Sequence, residues 1–214
     1  MTVDALADHM ETFNSHGENA ILTQLTPSSR ELRMRLPPLP DEEWDDRTRE
    51  ALSALLPRRL RNEHGAGPAM SRLARHPDLT EAFLSFSVYV LFRSTLPARV
   101  RELATLRVAA RRECAYEWAH HQKLAREAGL TEAEIEAAGR GKADDPLDGL
   151  VLAAVDELED RSTLSEPTWD ALGEHLDERQ RMDLVFTVGA YAVMAMAFNT
   201  FGVLPDTEGS GHDH

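Results

Sequence analysis

Three residues whose side chains can move or hold a proton stand at helical spacing near the middle of the chain. Cys114, Glu117 and His121 are three and four positions apart, so on one helix they form a single column. His120 lies three residues after Glu117 and borders that column. A carboxylate and an imidazole one turn apart can share or exchange a proton, the requirement of general acid/base chemistry near neutral pH. Glu102 lies twelve positions before Cys114, on the preceding helix or half-helix, and folding the two segments together would bring it to the column. On spacing alone the plainer reading is favoured. Glu117 and His121 then form a solvated helix pair, Tyr116 and Trp118 are core or interface aromatics, Cys114 is a small buried residue, and Arg107 pairs with Glu102 or a neighbouring acid.

The elements that must position these residues read as helices throughout. Residues 1 to about 30 have no sustained apolar period and read as an arm able to wrap a neighbouring subunit. The cluster Pro37-Pro38-Leu39-Pro40 cannot be helical, and the acidic run Asp41 to Asp46 opens a helix expected to continue to about Leu56. From Pro77 to Phe92, Leu79, Phe83, Phe86 and Val90 recur at three- and four-residue steps, one apolar stripe of a helix. Pro97 opens the next helix, with a break expected near Arg112, and the helix carrying the column is stopped by Gly129. Thr131 to Glu134 has the capping-box pattern, and Ser165 and Asp177 are further N-caps. The last helix, expected to run through about Phe198, is apolar nearly all round, as in a helix buried on more than one side. No β-alternation and no internal repeat is present, so the fold class is all-α.

Composition narrows the chemistry. With 23 basic against 37 acidic residues the net charge is −14, which argues against a nucleic-acid partner. No uninterrupted apolar run approaches the ~20 residues of a membrane span, and MTVDALADHM lacks the pattern of a signal peptide, so no membrane partner and a cytoplasmic location are expected. One cysteine excludes an intramolecular disulfide and a thiolate zinc cage. The nine histidines include His212 and His214 in a short polar tail, and most of the others lack ligand spacing, so no metal site is assigned.

Residues 92 to 135, FRSTLPARVRELATLRVAARRECAYEWAHHQKLAREAGLTEAEI, resemble the core of carboxymuconolactone decarboxylase-like proteins. Asp177 to Val203 resembles the closing helix of that family and Leu36 to Trp44 its entry, so the likeness spans residues 36–205, leaving an arm over residues 1–35 and a tail over 206–214. In the related AhpD branch the signature is a glutamate, eleven residues, a CxxC pair and a histidine after three more. Glu102, Cys114 and His121 match those spacings, while Glu117 stands where the second cysteine belongs. A single cysteine cannot cycle a dithiol and a disulfide within a subunit. The form Tyr116-Glu117-Trp118 followed by His121 is similar to the decarboxylase-like branch.

The resemblance implies an AhpD-like helical bundle, a homo-oligomer (trimer or hexamer) with its pocket near a subunit interface, and cofactor-free decarboxylation or proton transfer on a small organic acid or lactone. It assigns Glu102, Glu117, His121 and Cys114 to catalysis and Arg107, Tyr116 and His120 to the substrate. Two alternatives stand beside it. One is a peroxide-linked redox protein using Cys114 with an external thiol; the other is a non-catalytic scaffold that binds a small acid or a protein.

Overall fold

The computed structural model describes residues 34–205; the expected arm up to residue 33 and the tail from residue 206 lie outside the described residues. Among the described residues there is no strand, and the fold is all-α. The described residues divide into two compact units, one formed by residues 34–92 together with 200–205, the other by Arg93–Asn199.

The first unit contains α1 (Asp46–Ala51), α2 (Gly67–Leu73) and α3 (Pro77–Val88). Its core gathers Leu39, Trp44, Leu52, Leu56, Ala66, Ala74 and Leu84. The indole Nε1 of Trp44 donates to the carbonyl of Leu39 at 2.8 Å, which keeps its polar tip satisfied inside the core. The backbone N–H groups of Arg35 and Leu36 reach the Phe201 carbonyl at 3.2 and 3.3 Å.

Two sequence expectations are corrected here. The acidic run does not open one helix to Leu56: Asp41–Glu43 is a 3₁₀ turn and α1 covers only Asp46–Ala51. The reason is Asp45, which is extended and accepts from the Thr48 N–H at 2.7 Å, so the helix starts after it. The stripe from Pro77 ends as an α-helix at Val88 and widens into a π turn over Tyr89–Arg93.

The second unit contains α4 (Ala98–Arg111), α5 (Ala115–Glu127), α6 (Glu132–Arg140), α7 (Pro146–Arg161), α8 (Glu166–Gly173) and the greater part of α9 (Glu178–Phe201). Helix α4 is the axis against which α5, α6 and α7 pack. Its buried residues include Val100, Leu103, Ala104, Leu106, Val108 and Ala109, and with them Glu102. The expected caps form: Thr131 and Glu134 make a reciprocal capping box, Ser165 accepts from Thr168, and Asp177 and Gln180 cap each other. Gly141 ends α6 at φ 72°, a left-handed conformation that suits glycine. Helix α9 continues to Phe201, three residues past the expected end.

Among the described residues α9 is long and apolar enough to cross a membrane by length and composition, and 44% of its apolar window is buried within the protein. Its buried face carries Asp183, whose Oδ2 accepts from Thr95 N at 2.6 Å and Thr95 Oγ1 at 2.7 Å. That contact fixes α9 to the loop that leads into α4.

Candidate functional site

The corner between α4 and α5 brings the chemistry together. Helix α4 ends at Arg111 with Arg112 as its C-cap; Glu113 takes a left-handed φ of 51°, and Cys114 is extended as the N-cap of α5. A non-glycine residue in that region costs on the order of 1–3 kcal/mol and persists only where its surroundings impose it. Here they do: the Cys114 N–H donates to Ala109 O at 2.9 Å, and Asn199 Nδ2 of α9 donates to Arg112 O at 2.8 Å. The tight reversal returns α5 along α4.

The side chains of the two helices then meet. His121 Nδ1 lies 2.7 Å from Glu102 Oε2, and His121 Nε2 lies 3.2 Å from Glu117 Oε2. One imidazole is thus held between two carboxylates, one from each helix. Glu102 is 1% exposed, His121 3% and Glu117 4%, so water does little to screen them. Glu102 is further clamped by Arg101, whose Nε donates to Oε1 at 3.0 Å.

This arrangement sets the protonation states. Burial alone disfavours an imidazolium, but the charge and hydrogen bond of Glu102, with those of Glu117, outweigh it and lift His121 to about 9. Burial also pushes the Glu102 carboxyl up; the positive charge and hydrogen bond of His121, joined by Arg101, reverse this and hold it below its ordinary value. At neutral pH the cluster therefore contains a protonated imidazole flanked by acceptors. Cys114 behaves differently. It is 1% exposed, and burial pushes its thiol up to about 12, with the backbone N–H groups of Glu117 and Tyr116 too weak to compensate.

Aromatic rings complete the walls. Tyr191 of α9 meets His121 edge-on, with ring centroids 4.8 Å apart and planes at 87°. Its hydroxyl is held well above the ordinary tyrosine value, first by burial and then by the negative charges of Glu102 and Glu117. Tyr191 is therefore a neutral wall. Tyr116 and His120 stack one turn apart at 6.0 Å, and the His120 ring stands 5.3 Å from that of His121. Both are half-buried and form the edge of the cluster.

Of the residues singled out in the sequence, Glu102, Glu117 and His121 converge, Cys114 caps their helix, and Tyr116 and His120 border them. Arg107 is not brought to the cluster. Its guanidinium forms a two-pronged pair with Asp156 of α7, at 2.8 and 3.0 Å, and donates to Gly139 O of α6 at 2.9 Å. Gly141 explains why it fits there, since a Cβ at that position would lie 2.5 Å from the guanidinium carbon. Arg107 thus ties α4 to α6 and α7.

Sequence reasoning missed Arg101 and Tyr191. Arg101 neighbours Glu102 in the chain, where helical geometry points side chains apart, so spacing offered no signal. Tyr191 carried one: a hydroxyl inside a helix otherwise apolar nearly all round. Among the described residues no group of three or more His, Cys, Asp or Glu side chains is arranged to hold a metal ion.

These features define an all-helical protein with a buried carboxylate–imidazole–carboxylate cluster. Residues 77–160 match the carboxymuconolactone decarboxylase family. The fold is similar to a crystal structure from Ralstonia eutropha described as an alkylhydroperoxidase AhpD core, an uncharacterized peroxidase-related protein. The two share 20% identity with a TM-score of 0.68, over 81% of this chain and 93% of that one. The family match over residues 77–160 and the AhpD-core fold support a place for the chain in the carboxymuconolactone decarboxylase/AhpD-like superfamily. No curated protein matches it.

Proposed function

We propose that the protein is a cofactor-free proton-transfer enzyme of the decarboxylase-like kind, acting on a small organic acid or lactone. The observation that carries this reading is His121, buried between Glu102 and Glu117 and held protonated up to about pH 9. Glu102 has both oxygens engaged, Oε1 by Arg101 and Oε2 by His121, and acts as the fixed partner that orients Nδ1. The transferable proton is the one between His121 Nε2 and Glu117 Oε2.

In a decarboxylation the carbon–carbon bond to the departing carboxylate breaks, carbon dioxide leaves, and its electron pair stays on the substrate as an enolate. The proton shared by His121 and Glu117 then passes to a carbon of that enolate, and the cluster regains a proton from water. The positive imidazolium also favours the developing negative charge. Arg107 has no part in this step, because Asp156 and the Gly139 carbonyl hold it.

The thiol alternative is less well supported. Peroxide chemistry requires a thiolate, whereas Cys114 is buried with its thiol pushed up to about 12. The test is a screen of unsaturated lactone acids and β-keto acids for substrate loss and carbon dioxide release, run alongside peroxide titration with intact-mass readout. Turnover that disappears in Glu117→Gln while Cys114 stays unmodified supports the reading. Sulfenic acid or a mixed disulfide on Cys114, with no turnover of any acid, overturns it in favour of thiol chemistry.

A further inference from the structure

A decarboxylation of the proposed kind takes a proton from the cluster in every turnover, and the cluster has to regain it. The carbon–carbon bond breaks, carbon dioxide leaves, and the electron pair left on the substrate is neutralised by the proton of the His121–Glu117 pair. Nothing is oxidised or reduced. The cluster is then one proton short, yet Glu102, Glu117 and His121 are all at most 4% exposed. Reloading such a site needs a side chain that touches the cluster on one side and solvent on the other.

Most of the groups that border the cluster lack one of those properties. Arg101 is partly accessible, but a guanidinium presents donors and no acceptor for an incoming proton. Tyr191 and Cys114 are buried, with hydroxyl and thiol both held in the neutral form. Tyr116 is half-buried but neighbours Glu117 in the chain, where helical geometry turns side chains apart. His120 differs from these. It is half-buried, stands three residues after Glu117 on the same face of α5, and has its ring centroid 5.3 Å from that of His121. An imidazole accepts on one nitrogen and donates on the other, and exchanges protons near neutral pH. The ring is also held in place: it stacks on Tyr116 at 6.0 Å with planes 18° apart, and Tyr116 is braced edge-on against Phe198 of α9 at 5.3 Å.

The geometry names the receiving atom as well. Both ring nitrogens of His121 are taken, Nδ1 by Glu102 and Nε2 by Glu117, so an incoming proton enters at a carboxylate. Glu102 has its two oxygens engaged by Arg101 and His121. Glu117 gives Oε2 to His121, and among the described residues its Oε1 accepts no hydrogen bond. A proton placed on Oε1 is presented to Nε2 when the carboxyl turns over about its Cγ–Cδ bond. We infer that His120 is the proton inlet of the cluster, taking a proton from solvent and passing it, directly or through one water, to Glu117 Oε1 between turnovers. The inference rests on the proton-transfer reading above, and it gives His120 a role different from the substrate contact that the family resemblance implies.

Two measurements on the full-length protein test it. The first needs no substrate: exchange of the His121 ring N–H protons with water is followed by NMR after isotope labelling of histidine. His120→Gln and His120→Asn should each slow that exchange at least about tenfold, with circular dichroism unchanged, and added free imidazole should restore it. His64→Gln, at an exposed position of the first unit, should exchange like the unaltered protein. The second measurement uses the acid that releases carbon dioxide in the screen. Because reloading follows the loss of carbon dioxide, His120→Gln should lower kcat at least about tenfold in dilute buffer, leave kcat/KM nearly unchanged, and recover as imidazole buffer is raised. A raised KM with kcat retained would make His120 a substrate contact and overturn the inlet. Unchanged N–H exchange in both variants overturns it whatever the kinetics. Turnover that survives Glu117→Gln sinks the proton-transfer reading instead, and the exchange measurement then still decides on His120.

Discussion

Helix α4 carries two charged clusters five residues apart, and they have opposite characters. At Glu102 a carboxylate meets Arg101 and the imidazole of His121, which in turn meets Glu117, with the carboxylates and imidazole almost completely shielded from water. At Arg107 a guanidinium meets Asp156 and a backbone carbonyl, with the aspartate 28% exposed. The second cluster pairs a carboxylate with a guanidinium, whose donors form a rigid fork matched to carboxylate geometry. It can only hold helices together. The first contains a group whose proton can leave, and burial with two acceptors keeps that proton in place at neutral pH. The difference between the two clusters thus lies in the cation each carboxylate faces, since both arrangements are ion pairs that pin α4 to its neighbours.

The largest expected effect comes from removing the transferable proton. Glu117→Gln and His121→Asn should each lower turnover about 10²- to 10⁴-fold on whatever substrate the screen identifies, with the helical circular dichroism spectrum retained. Since the two residues act as one unit, the double variant should lose far less than the product of the single losses. Independent, multiplicative losses would mean that the pair is a structural contact like Arg107–Asp156.

Next in size is the effect of stranding a buried charge. Glu102→Gln leaves Arg101 without its carboxylate and His121 without its stronger acceptor, which should destabilise the fold by about 3–5 kcal/mol in denaturant melts. Asp156→Asn, acting on the more exposed pair, should cost about 1–2 kcal/mol and leave turnover per folded molecule nearly unchanged. Equal losses of stability at the two sites would erase the distinction drawn from their burial.

The pH dependence should separate the clusters as well. His121 has a folded value of about 9, raised above its ordinary 6.5. Its contribution to stability is therefore complete below about pH 6.5 and is lost as the pH rises through 9. The difference in melting temperature between the unaltered protein and His121→Asn should shrink over that window. For Asp156→Asn the corresponding difference should stay flat there. Turnover, dependent on the protonated imidazole, should fall above about pH 9. The smallest effect is expected from Cys114→Ser, which nearly preserves volume and removes no proton from the relay; activity should change less than about threefold. Loss of turnover in that variant would move the chemistry to the thiol.

Much of this arrangement was legible in the chain. Proline, glycine and short polar caps marked most helix boundaries in the second unit, because those preferences act within a few residues: Thr131, Gly141, Ser165 and Asp177 all sit at ends they specify. The three- and four-residue steps placed Glu117 beside His121, as any α-helix must. The boundary near Trp44 failed because two local contacts compete within one acidic run: the Trp44 indole bonds back to Leu39, and Asp45 caps a fresh start through the Thr48 N–H.

What the sequence alone determined was a set of helices and the possibility that Glu102 could reach the column. Only the tertiary structure decided that it does, because the meeting depends on the left-handed turn at Glu113 and on Asn199 arriving from α9 to hold it. The same packing directed Arg107 to Asp156 and brought Tyr191 against His121. Local spacing fixes which residues share a helical face, but which faces meet, and hence which charges are buried together, is set by the packing of helices distant in sequence.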